Sequence, residues 1–246
     1  MSTRSVRREL RDKRDSGEKL FIVLSDPEKP LEPRKVLLFE ESGADVLLVG
    51  GSLNVMPYDI DEYVAKLREA GVQIPIVLFP GGLNNIARSA DAILFMVLMN
   101  SLDPYWLMEA QVTAAPLIKR LQLEAIPTGY VIVGYGGAAG HVGRALPVAE
   151  ETPYIVGAYA AAAELFGFDV LYLEAGSGSP RPVPSEAVAA ARKGGEKLLL
   201  IVGGGIREPD QARDLLAAGA DGVVVGTIAE KDTRKALDIL QAVKHR

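Results

Sequence analysis

An α/β fold is what this sequence predicts: a modified (β/α)8 TIM barrel with one barrel helix missing or shortened after strand 3. Short apolar runs alternate with helical patterns along a 246-residue chain, the size of such a barrel. Three segments also repeat one unit: "GADVLLVGGS" (43–52), "GFDVLYLEAGS" (167–177) and "GADGVVVGT" (219–227). Each has a glycine suited to a left-handed helix end, then an acid, a β-branched strand and a turn of small residues. The runs are apolar throughout, as strands covered on both faces of a parallel sheet must be.

Each element follows from that pattern. The charged opening, "MSTRSVRRELRDKRDSGEK", has no apolar centre, so it is no secretory leader and predicts a charged helix at 1–18. Strands are expected at 20–24, 46–50, 75–79, 92–98, 128–133, 170–174, 198–202 and 222–226, with amphipathic helical stretches between most of them. Between Phe79 and Ala92 only "PGGLNNIARSAD" is available, too short for a helix with its loops. After Val133 comes a long small-residue insertion, "GYGGAAGHVGRALPVAEE", which suits either a mobile flap or a structural loop. No linker divides the chain, so residues 1–246 are expected to form one domain.

Composition narrows the function. With 48% hydrophobic and 24% charged residues a large core is within reach, and a net charge of −5 argues against nucleic acid as a partner. No cysteine is present, which excludes disulfides, thiolate metal sites and a cysteine nucleophile. The longest apolar run without charge or glycine, "AILFMVLM", is far below the ~18 residues of a membrane span, so a soluble, cytoplasmic protein is expected, with peripheral membrane contact left open. The two histidines, His141 and His245, form no constellation. Trp106, Met99 and Met108 read as core, and residues near Asn100 as the lining of an apolar groove.

In a barrel the loops after the strands meet at one face, where the site lies. The turns "GGGIREPDQA" and "GTIAEKD" stand where such barrels hold phosphate on backbone N–H groups. Asp26, in "LSDPEK", fits either a Mg²⁺ ligand or the cap of an Asp-Pro turn, and Ser52 after strand 2 can add an oxygen. Glu174 ends a buried strand. It fits a general base for a bound polyol, or a salt bridge to a lysine such as Lys29.

Together "LSDPEKP", "GGSLNV", "FPGG", "MNSLDPYW", "EAIPTGYVIV", "YLEAGSGSP", "IVGGGIR" and "AGADGVVVGT" resemble the archaeal geranylgeranylglyceryl phosphate synthase family, which includes bacterial heptaprenylglyceryl phosphate synthases. The resemblance runs from about Leu20 to Asp232. It implies a barrel lacking one helix and a Mg²⁺-dependent prenyltransferase in which the 3-hydroxyl of sn-glycerol 1-phosphate attacks geranylgeranyl diphosphate. Diphosphate is released, in the first ether-bond step of archaeal lipid synthesis. Carried over by motif, Asp26 and Ser52 resemble the metal ligands, and Glu174 and Asp26 the catalytic acids. Tyr172, Leu173, Glu174, Ala175, Gly176, Ser177, Gly178, Gly203, Gly204, Gly226 and Thr227 resemble the glycerol-phosphate site. Thr227 stands where members of the family have Asn. The resemblance also implies a homo-oligomer, dimer or hexamer. Two other readings use the same glycines: a flavin or sugar-phosphate barrel, and a phosphate-binding barrel without catalysis.

Overall fold

Apolar strands need covering on both faces, and the chain supplies this by closing its sheet into a ring. The computed structural model describes residues 5–51 and 54–245. Helix α1 (Val6–Asp15) leads into β1 (Leu20–Ser25), α2 (Pro33–Glu41), β2 (Val46–Val49), α3 (Pro57–Glu69) and β3 (Ile76–Leu78). Then come β4 (Ala92–Leu98), α4 (Ala110–Leu121), β5 (Glu124–Ile132), α5 (Gly137–Val142), α6 (Pro153–Leu165) and β6 (Val170–Glu174). The chain ends with α7 (Ser185–Gly194), β7 (Leu199–Gly203), α8 (Pro209–Ala217), β8 (Gly222–Val225), α9 (Thr227–Lys231) and α10 (Thr233–Lys244). All strands are parallel, each beside its neighbour in sequence, and β8 pairs with β1 to close the barrel.

The expected gap is present. Between β3 and β4 there is only a 3₁₀ turn, Leu83–Asn85. Strand β5 begins at Glu124, ahead of the expected 128, because Glu124 and Ala125 pair with Ala92 and Ile93. Pro127 does not break this strand; its carbonyl accepts the Asp169 N–H (2.9 Å). The insertion after β5 holds α5, and bridges from Val133 to Val148 and from Ser101 to Ala145 tie it down.

Alternate strand residues fill two cores. Leu20, Ile22, Leu48, Leu94, Ile126 and Ile201 pack inside the barrel. Phe21, Val23, Leu47, Leu171 and Val202 meet the helices outside. The helix expected at 1–18 is found as α1 over Val6–Asp15, residues 1–4 lying outside the described residues, and it plugs the barrel floor by adding Val6 and Leu10 to the inner core. Glu124 holds its start by accepting from the Val6 N–H (2.7 Å), and Arg7 and Arg11 pair with Asp169.

The acid of the repeated unit proves structural. Asp45 accepts the Phe21 N–H (2.8 Å) and pairs with Lys13 and Lys244, so it joins β1, α1 and α10. Asp221 repeats the arrangement with the Leu200 N–H (2.8 Å) and Arg192. These acids face the floor, so the opposite rim is free for chemistry. Among the described residues no helix is long and apolar enough to cross a membrane.

Candidate active site

Parallel strands place all their C-terminal ends on one rim, and the residues just past those ends decide what the rim can do. Glu174 closes β6 in register with Ile132 of β5 and Gly203 of β7. It points inward and is 7% exposed. Burial pushes its carboxyl up to about 7, although the Gly176 N–H (2.6 Å) and the Tyr130 and Tyr172 hydroxyls stabilise the charged form. No lysine is among these partners, so the salt bridge to Lys29 is not the arrangement found.

Two tyrosines beside the acid are in cross-strand register, Tyr130 with Tyr172. Their rings lie 5.2 Å apart, and Phe79 from the end of β3 stacks on Tyr172 at 5.3 Å. Burial and the adjacent Glu174 charge hold both hydroxyls well above the ordinary tyrosine value, so near neutral pH they stay protonated and can donate to the acid. A carboxyl with this setting is half ionised near neutrality and held in place by three donors, as a general base requires.

The expected glycines make room for that acid. A Cβ on Gly204 (φ +83°) would lie 2.4 Å from Glu174 Oε1, and one on Gly203 would lie 2.1 Å from the Tyr172 hydroxyl. Gly176 (φ +101°) passes against the insertion, where a Cβ would meet the Gly136 carbonyl carbon at 2.5 Å. Ser177 and Gly178 are exposed above the acid, and Arg207 braces this loop by donating to the carbonyls of Ser179 (2.6 Å) and Pro180 (3.1 Å). Leu173 and Ala175 turn their side chains into the outer core, so only their backbone belongs to the rim.

Asp26 stands past β1. Its Oδ1 accepts the Glu28 N–H (2.9 Å), so it does cap the turn. It also lines a cavity of about 330 Å³ together with Gly226, Thr227, Ser177 and Glu230. Burial raises the Asp26 carboxyl, and burial plus the negative charge of Asp26 raises Glu230. Ser52, the other expected metal ligand, lies outside the described residues. Among the described residues no group of three metal-binding side chains occurs, so a cation here would be held by few protein ligands.

From this acidic end the cavity runs past Gly50, Phe79 and Tyr130 to Phe95, Trp106, Ala114 and Ile118. Ile93 and Ile118, outer-core residues of β4 and α4, line it together with Leu83 and Ile86. The apolar end therefore occupies the space that a helix between β3 and β4 would cover. Ala138 and Val142 of α5 form another wall. Trp106 lines this cavity and Met108 is exposed; neither simply fills the core as the sequence suggested. Tyr130 touches both Glu174 and the cavity, and so connects the expected base to Asp26.

Three groups here escape sequence reading: Tyr130, Phe79 and Glu230. The two-residue alternation of β5 could have placed Tyr130 inside the barrel. Nothing in "GTIAEKD" distinguishes Glu230 from a solvated helix residue.

Residues 13–244 match the PcrB family. A geranylgeranylglyceryl phosphate synthase of Hyperthermus butylicus is 67% identical over 237 residues, covering 96% of this chain and 98% of the relative. The enzyme of that name from Aeropyrum pernix is 47% identical over 251 residues, covering 98% and 97%. Among solved structures, the (S)-3-O-geranylgeranylglyceryl phosphate synthase of Thermoplasma acidophilum, in complex with its substrate sn-glycerol-1-phosphate, superposes with a TM-score of 0.93. It is 32% identical, and the match covers 99% of this chain and 100% of that one.

Proposed function

The chain belongs to the PcrB family, and from that premise we propose that it forms the ether bond between sn-glycerol 1-phosphate and geranylgeranyl diphosphate. One observation carries the reading: a buried acid poised near pH 7 shares Tyr130 with a cavity that is acidic at one end and apolar at the other.

Glycerol phosphate sits over β6, β7 and β8, between the 174–178 turn and Gly203, Gly204, Gly226 and Thr227. Its phosphate takes backbone N–H groups of these turns, where Gly178 has open space beside it. Glu174 orients the 3-hydroxyl and accepts its proton as the oxygen bonds to C1 of the prenyl chain. The C1–oxygen bond to diphosphate breaks before or as that ether bond forms, and diphosphate departs with the electron pair. Tyr130 and Tyr172 hold the carboxylate in place by donating to it. The prenyl tail lies along Phe95, Trp106 and Ala114, where each buried CH₂ contributes about 0.8 kcal/mol.

Mg²⁺ fits the acidic end. Asp26 and Glu230 offer hard oxygen donors, their like charges oppose each other, and Lys29 offsets this only in part. Asp26 would hold the ion, with Ser52 as the second ligand expected from the family resemblance. Bound there, Mg²⁺ would neutralise charge developing on the leaving diphosphate.

The test is turnover of sn-glycerol 1-phosphate with farnesyl, geranylgeranyl and longer prenyl diphosphates, with and without Mg²⁺. Ether product that depends on the cation and favours the geranylgeranyl donor is the expected result. Absence of ether product with every donor overturns the reading.

A further inference from the structure

A polar side chain in the apolar wall of the cavity needs a reason, and Gln111 is such a residue. It is 9% exposed, lies in the first turn of α4 and lines the prenyl end. Its Nε2 donates to two main-chain carbonyls, Met96 of β4 (2.6 Å) and Trp106 (3.1 Å). Its Oε1 is buried without a hydrogen-bond partner. Two carbonyl acceptors require the nitrogen to face them, so the orientation of the amide is fixed. An apolar residue here would avoid a buried bare acceptor, and the reason for an amide must lie in those two carbonyls.

The local winding supplies it. Residues Tyr105–Glu109 form a π-helical turn, in which the Ala110 N–H reaches Tyr105 O rather than Trp106 O, its usual helical acceptor. Gln111 therefore takes up a carbonyl that the wide turn has moved off its ordinary donor, and fastens it to β4. The outer side of this segment gives little support, since Met108 and Val112 are 62% and 63% exposed. Attachment comes from the inner side, where Trp106 packs against the inner core and against Tyr105 edge-on at 4.9 Å.

We propose that Gln111 is a specificity-determining positioning residue: by tying the π-helical turn to β4 it fixes Trp106 in the cavity wall, and so sets the prenyl length the cavity accepts. The proposal rests on the prenyl-transfer reading, but part of its test does not. Trp106 is the only tryptophan of the chain, so intrinsic fluorescence reports on this wall alone. Gln111→Met keeps the side-chain length and removes both donors together with the bare acceptor.

In the absence of substrate, Gln111→Met should shift Trp106 emission to the red and increase its quenching by acrylamide. In turnover, the preference for geranylgeranyl over the next longer diphosphate should fall about tenfold, the effect of small changes in an apolar pocket. That change falls on the prenyl KM more than on kcat, while the KM for glycerol phosphate stays at its wild-type value. A general loss of structure would move both KM values together. If Gln111→Met does not fold, Gln111→Asn, which is one methylene too short to reach both carbonyls, is measured in the same two ways. Wild-type emission and quenching overturn the tether. Shifted emission with an unchanged chain-length preference overturns the specificity role. A wild-type protein that transfers no prenyl group would defeat the prenyl-transfer reading instead, and the fluorescence would still judge the tether.

Discussion

Replacing Glu174 by glutamine should leave the protein almost inactive and, at alkaline pH, more stable. The acid is buried, and its carboxyl is raised from an ordinary 4.5 to about 7. At about 1.4 kcal/mol per pH unit, that displacement corresponds to about 3 kcal/mol. The folded protein binds this proton more tightly than the unfolded chain. Its contribution is therefore complete below the unfolded value near 4.5 and is lost as pH rises through about 7. Glutamine cannot ionise, keeps one carbonyl oxygen that can accept from the Gly176 N–H, and escapes that loss. Denaturant melts of both proteins from pH 4 to pH 9 measure the effect: similar stability at the acid end, with the variant ahead by about 3 kcal/mol at pH 8. Wild-type turnover should rise with pH around an inflection near 7, and the variant should fall about 10²–10⁴-fold, the range for a lost general base. Parallel pH–stability curves for the two proteins would refute the burial argument. Turnover within a few-fold of wild type would refute the base assignment.

Further outcomes follow from the geometry at the rim and at the floor. Asp26→Asn should abolish most Mg²⁺-dependent turnover while leaving glycerol-phosphate affinity intact, and Glu230→Gln should weaken Mn²⁺ binding about 10–100-fold. Calorimetric titration with Mn²⁺ checks both without turnover, and unchanged affinity in the two variants would place the cation elsewhere. Gly204→Ala puts a methyl group 2.4 Å from Glu174 Oε1 at a left-handed φ, so it should lower glycerol-phosphate affinity and cost more than about 1 kcal/mol; a variant with wild-type melting and binding would contradict the packing described. Asp45→Ala leaves Lys13, Lys244 and the Phe21 N–H without their shared acceptor. It should cost about 3 kcal/mol in chemical denaturation with little change in turnover, because the floor lies at the far end of the barrel.

By itself the sequence determined the architecture. Barrel topology, the gap after β3 and the rim positions of Asp26, Glu174 and the late glycines follow from strand periodicity and chain length, both local properties. Glycine at 203 and 204 was legible as a turn, but its reason, clearance for Tyr172 and Glu174, was not. Only the tertiary structure decided how Glu174 is set, because its burial and its two tyrosine partners come from β5 and β6 meeting in register. It alone set Glu230 beside Asp26, through α9 folding back over β1. It also turned the missing helix into an apolar cavity, bounded by strand, turn and helix residues far apart in the chain. A sequence shows which residues are apolar or charged. Which of them share a cavity, and what that does to a proton, depends on distances that only chain closure creates.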